Sequence, residues 1–266
     1  MDITTRQMFL LLRAGVFGQQ DRVEPMSVWK WRKTYQLAVA HGVEAEAYEG
    51  LEVVSDQFFS QIVPDDLRSQ WAESADQARR SQREEPAPLP PRLAKSLTAI
   101  AEAHPQSKAD AMMLESLARL ACALMNDDYW VRHLLNLGEL VRESGSDVNR
   151  EQLQKWIRKL GLTRMAQLEG ALLMQLAGVQ EGELPMPMPR RPDAFSQQVD
   201  AIASAIPHGR EQLEFQQGKH IFVHTNNANA MVWNARRSMR FFKYSPRESL
   251  SQLFSSFARS LTNIEE

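Results

Sequence analysis

Apolar residues recur at three- and four-residue intervals along most of the chain, the period of a helix with one buried face. Met8, Leu11, Leu12 and Ala14 follow this spacing, with Thr4 or Thr5 placed to cap the helix and Gly18 to stop it. After Pro25-Met26-Ser27, the set Val28, Trp31, Tyr35, Ala38 and Val39 predicts a second helix closed by Gly42. A third is expected over 43–54. Leu67, Trp71, Ala75 and Ala78 define a fourth, and Asp65 and Asp66 bring negative charge to its first turn, where the helix dipole favours it. Its far end, Arg79 to Glu85, has no apolar face and is expected to project into water.

The run Pro86-Ala-Pro-Leu-Pro-Pro91 holds four prolines in six residues and predicts an extended connector. Beyond it the pattern predicts helices near 92–103, 108–125 and 129–143. Another contains Leu153, Trp156, Ile157 and Leu160 and closes at Gly161; one over 163–177 ends at Gly178. Leu184 to Pro189 reads as a second extended connector. The tail offers a helix near 194–205, a strand candidate at His220-Ile-Phe-Val-His-Thr225, and helices near 228–243 and 246–262. The last begins with Ser245 as cap, Pro246 at the first helical position and Glu248 three residues after the cap, and carries the stripe Leu250, Leu253, Phe254, Phe257 and Leu261.

These elements predict a mainly α protein, a multi-helix bundle or array with at most one short hairpin or strand element. Three regions are expected: 1–85, 92–185 and 193–266, the last packed with the central one. Helix spacings vary too much for a solenoid. A single strand candidate cannot build the sheet that most nucleotide-handling enzymes use.

Composition changes this picture little. The 266 residues are 43% apolar and 24% charged, ordinary for a chain with a core. A net charge of −2 argues against a surface built throughout for phosphate backbones. Cys122 is the one cysteine, in an apolar helical stretch that predicts a buried inert thiol. Phe9 to Leu12 is too short a run, with Asp2 before it and Arg13 after it, for a signal peptide. No run of about 18 apolar residues occurs, so no membrane span is predicted, and a cytoplasmic location is the expectation.

Candidate chemistry is sparse. The glycine-rich phosphate loops and the G-x-S-x-G elbow are missing from the sequence. His220 and His224, if on a strand, stand roughly 13 Å apart, too far to share a metal. Asp65-Asp66 and Asp127-Asp128 read as helix-start electrostatics. Ser146 or Asp147 reads as the cap of the helix through Trp156. No catalytic, cofactor-binding or metal-binding residue is therefore assigned, and no cofactor is expected. One constellation remains: Arg236, Arg240 and Lys243 would share a helix face, with Arg237 to one side, a stripe suited to phosphates or an acidic partner. The partner classes that fit are a protein or an anionic ligand. The same helix, with Phe241 and Phe242 in a core, would also present these charges simply as a solvated face.

The order of segments carries more information than any motif. Thr5 to Gly18, followed by Trp31 and Tyr35-Gln-Leu-Ala38, resembles the opening of a bacterial group of uncharacterised nucleotidyltransferase family proteins. Trp130-Val-Arg-His-Leu-Leu-Asn136 through Leu153, Trp156, Leu160-Gly-Leu-Thr-Arg164 and Gly178 is similar to the helical region that follows the palm in that group. The tail, with Arg236 to Arg240 and Ser245-Pro-Arg-Glu-Ser249, is similar to its end. The resemblance implies a Lys-Gly word and a Gly-Asp-x-Asp strand in mid-chain, where carboxylates converge on metal ions. This sequence contains neither a Lys-Gly dipeptide nor an Asp-x-Asp. The reading is thus a non-catalytic, nucleotidyltransferase-like helical protein, its flanks joined at about 86–110, acting as a binding or regulatory module. The alternatives are a divergent nucleotidyltransferase with an unrecognised or partner-completed site, and a module binding nucleic acid or an anionic surface.

Overall fold

The computed structural model describes residues 1–81, 89–126, 129–188 and 192–205. Among them are ten α-helices and no strand, so the fold is mainly α, as the apolar period predicts. The helices are α1 (Ile3–Phe17), α2 (Val28–Ala40), α3 (Glu44–Val53), α4 (Asp65–Arg80), α5 (Pro91–Ala103), α6 (Lys108–Asn126), α7 (Trp130–Ser144), α8 (Arg150–Leu160), α9 (Thr163–Leu176) and α10 (Ser196–Ala203).

Two helix starts differ from the expected ones. Asp2, rather than Thr4 or Thr5, caps α1: its carboxylate accepts from the Thr5 amide at 2.8 Å and from the Thr4 hydroxyl at 2.9 Å. A carboxylate also suits the positive end of the helix better than a hydroxyl does. Both threonines lie inside the first turn and are buried. Likewise Asn149 caps α8, accepting from the Gln152 amide at 3.1 Å, because Gly145–Asp147 forms a 3-10 turn that removes Ser146 and Asp147 from the cap position. The stops at Gly18 and Gly161 hold: both adopt a left-handed conformation, open to glycine without the strain a side chain would meet.

α1 is buried along nearly its whole length and lies on α3, with α2 beside it and α4 against α3. It also reaches the central helices: Phe9 meets Trp130 of α7, ring centroids 6.2 Å apart, and the Phe17 ring lies 4.2 Å beneath the Arg142 guanidinium. Three tryptophans, Trp31, Trp71 and Trp130, are fully buried. Trp71 satisfies its indole by donating to the Glu44 carbonyl at 2.9 Å.

α9 is the central helix, packed against α6, α7, α8 and α10. Its residues are buried all around its circumference, from Met165 to Leu176, the pattern of a helix enclosed by others. The segment after it, over 184–188, forms no helix or strand and bends at Met186, and it is no free linker. Leu184 and Met186 are buried, and a Cβ placed on Gly170 would lie 2.8 Å from the Met188 sulfur. α6 is fixed to α8 through the buried Asp110, which accepts from the Asn149 amide at 2.7 Å. Cys122 is buried in α6, as expected. No helix among the described residues is long and apolar enough to cross a membrane.

Candidate functional site

The hollow with the most binding-like construction lies between α5 and α6. α5 starts at Pro91, whose fixed φ suits the first helical position, and ends where His104 leaves the helical conformation. Only Leu93 and Ile100 of α5 are buried, and α6 is its principal support. A helix attached along one flank leaves its other apolar positions half-covered. Leu97 is in this state, as is Leu89 just before the helix, and Met112 of α6 is 46% exposed. The groove they line with Ala101 holds about 490 Å³.

The rim of this groove is charged on both sides. Glu102 and Lys108 stand toward one end; Glu115 and Arg119 belong to the α6 wall. Arg119 donates through Nε and Nη2 to the same Glu115 oxygen, at 3.0 and 2.8 Å, a pairing four residues apart that holds both side chains along the helix. His104 packs on Trp156 of α8, ring centroids 5.3 Å apart, and so anchors the end of α5. An apolar floor with a mixed-charge rim between two helices is the shape that accepts an amphipathic helix. A second hollow, at the end of α4, is lined by Glu73, Asp76, Gln77, Arg80 and Ser81 from one helix and its cap, and lacks an apolar floor.

Gln7 and Glu169 are among the polar side chains buried in the core away from this groove. Gln7 of α1 is fully buried with neither amide atom hydrogen-bonded, and Glu169 of α9 is 1% exposed with its Oε1 unpaired. Burial pushes the Glu169 carboxyl well above the usual carboxylate range.

The acidic pair Asp65-Asp66 falls in the first turn of α4, where Asp66 also accepts from Arg32 at 2.7 Å; this is the helix-start role its position predicts. Arg236, Arg237, Arg240 and Lys243 lie outside the described residues, as do His220, His224 and Asp127-Asp128. Among the described residues, no three His, Cys, Asp or Glu side chains cluster so as to hold a metal ion.

Neither the groove nor Glu169 was singled out by the sequence. The groove needed knowledge of which α5 positions are left without a partner, and spacing does not contain that. Glu169 did leave a trace: it is the single charged residue between Met165 and Leu176, within a run otherwise apolar or small apart from Gln167 and Gln175. No family model, curated protein or solved structure matches the chain.

Proposed function

We propose that this chain is a non-catalytic, nucleotidyltransferase-like helical module that acts by binding a protein partner, and that the α5–α6 groove is its contact surface. The observation that carries this reading is the half-exposed apolar floor of Leu89, Leu97 and Met112 beneath a rim of both charges. Exposed apolar surface rimmed by polar groups marks contact sites more often than it marks idle surface. The partner element that fits is an amphipathic helix, whose anchors at three- and four-residue spacing would enter the groove between α5 and α6. The segment resemblance and the missing Lys-Gly and Asp-x-Asp words support the non-catalytic part of the reading.

The experiment is a titration with a designed amphipathic peptide of about five turns, leucine on one face and glutamate and lysine on the other, against a scrambled peptide of the same composition. Binding is followed through the methyl signal of isotope-labelled Met112. The expected result is a saturable shift of Met112 with the ordered peptide alone, lost in Leu97→Asp while circular dichroism is unchanged. No shift at Met112, or an equal shift with the scrambled peptide, would overturn the reading.

A further inference from the structure

Glu169 is the one described carboxylate held almost wholly inside the core without a hydrogen bond to either a backbone or a side-chain donor at Oε1. Its helix cannot turn it outward, because α9 is enclosed: Met165, Ala166, Leu172, Leu173 and Leu176 are all buried around it. Leu173, one turn along the same face, packs within 3.5 Å of the Cβ position of Gly138 in α7. Residues four apart on a helix share a face, so Glu169 belongs to the seam between α9 and α7.

The charged groups on the surrounding elements are engaged elsewhere or face water. On α7, Arg142 lies over the Phe17 ring and donates to the Gly178 carbonyl, Arg132 donates to the Gly42 carbonyl, Glu139 and Glu143 are exposed, and His133 is half-buried. On α6, Asp110 is bound to the Asn149 amide, Glu115 and Arg119 pair with each other, and Lys108 stands on the groove rim. On α8, Glu151, Lys155, Arg158 and Lys159 are exposed, and Arg150 donates to Gly182. On α1, Arg13 donates to the Gln175 and Leu176 carbonyls, beyond Glu169 along the same helix, and Arg6 pairs with Glu24. In the connector, Glu183 is taken by the Gln180 amide and Glu181 is exposed; on α10, Asp200 lies beside the Met1 amine. Arg164 of α9 itself, five residues away, is exposed. Burial is the sole cause of the shift at Glu169 among the described residues.

We propose that Glu169 is a proton-dependent latch at the centre of the fold: as a carboxylic acid it lets α9 remain enclosed, and as a carboxylate it opens the seam between α9 and α7. A bare carboxylate in an apolar seam has to be hydrated or expelled, and in an interior packed at the usual density either movement separates the helices. The sign follows from linkage. The folded protein holds this proton more tightly than the unfolded chain, so stability from this group is full below the ordinary value of 4.5 and is lost as pH rises through the folded value.

The test compares urea unfolding of the wild type with Glu169→Gln between about pH 5 and pH 8, the ratio of their unfolding constants cancelling every other titrating group. The expected ratio climbs with pH by up to about tenfold per unit, and native-state hydrogen exchange of α9 amides accelerates in the wild type relative to the variant over the same window. Glu169→Met serves in the same comparison if the glutamine variant does not fold. The carboxyl carbon signal of Glu169 in the wild type gives an independent readout, expected to remain that of the acid at pH values where exposed glutamates are ionised. A flat ratio, or a Glu169 signal titrating with the exposed glutamates, would overturn the proposal.

Discussion

Gly15 of α1 and Gly50 of α3 face each other at the closest helix crossing: a Cβ on Gly15 would lie 2.7 Å from the Gly50 backbone nitrogen and 2.1 Å from the Glu46 carbonyl oxygen. A Cβ on Gly50 would come within 1.8 Å of the Leu11 carbonyl oxygen. All of these neighbours are backbone atoms, which cannot swing aside as a side chain can.

Two effects oppose each other at these glycines. Alanine inside a helix gains about 1 kcal/mol over glycine in propensity, but contacts this short force the helices apart and cost about 3 kcal/mol. The clash wins. Gly15→Ala and Gly50→Ala should each lower the urea midpoint with the slope unchanged, and the double variant should cost less than the sum because one separation relieves both. A stabilised Gly15→Ala would place the α1–α3 crossing at a greater distance.

These two glycines also mark where sequence reading stopped. The period of Met8, Leu11 and Leu12 made α1 legible, and Ser27, Gly42 and Gly161 made several boundaries legible, because those are local signals. Gly15 and Gly50 carry no local signal: their meaning depends on which helix crosses which. The caps at Asp2 and Asn149 were displaced from the expected residues by one turn or less, since each neighbouring Thr, Ser or Asp is itself an acceptable cap. The groove was hidden for the same reason as the crossing, because Leu97 and Met112 look like ordinary core positions until α5 is seen resting mainly on α6.

Arg13 ties α1 to the end of α9, donating through Nε to the Leu176 carbonyl at 2.8 Å and through Nη2 to the Gln175 carbonyl. The last carbonyls of a helix have no partner within it, and the guanidinium supplies one with a favourable charge. Arg13→Met keeps the aliphatic stem and removes the donors, with an expected cost of about 2 kcal/mol. Arg13→Lys should recover only part of this, as a single ammonium cannot reproduce the forked contact. Equal stability of the wild type and Arg13→Met in urea would show that water replaces the arginine.

Asp2 gives a pH dependence of the opposite sign to that of Glu169. Partial burial alone would raise its carboxyl, but hydrogen bonds from Thr5 and Thr4 and the charge of Lys33 outweigh it, leaving the carboxyl below its ordinary value of 3.8. Its stabilisation is therefore present above 3.8 and lost as pH falls through the lower folded value. Asp2→Ala should cost about 1 kcal/mol at neutral pH, and the difference from wild type should shrink in acid. Thermal melts at neutral and acidic pH check this; a constant difference would mean that the cap acts without its charge.

The basic stripe of Arg236, Arg240 and Lys243, which lies outside the described residues, is proposed as a second contact surface beside the groove. If the stripe is a contact surface, making Arg236→Glu and Arg240→Glu together should lower retention on immobilised heparin and remove its salt dependence, while the far-ultraviolet spectrum stays that of the wild type, as expected for substitutions on a solvated face. Unchanged retention would remove these arginines, and with them Arg237 and Lys243, from the contact surface.

A module that binds without nucleotide chemistry is tested most directly by assaying nucleotide transfer. The full chain is incubated with each labelled nucleoside triphosphate, Mg²⁺ or Mn²⁺ and protein or RNA acceptors, and the label is followed on the acceptors and on the chain itself. A non-catalytic module should transfer no label above a no-protein control. Metal-dependent transfer that disappears when one acidic residue is replaced by its amide would contradict it and identify the chain as an enzyme of the group its segments resemble.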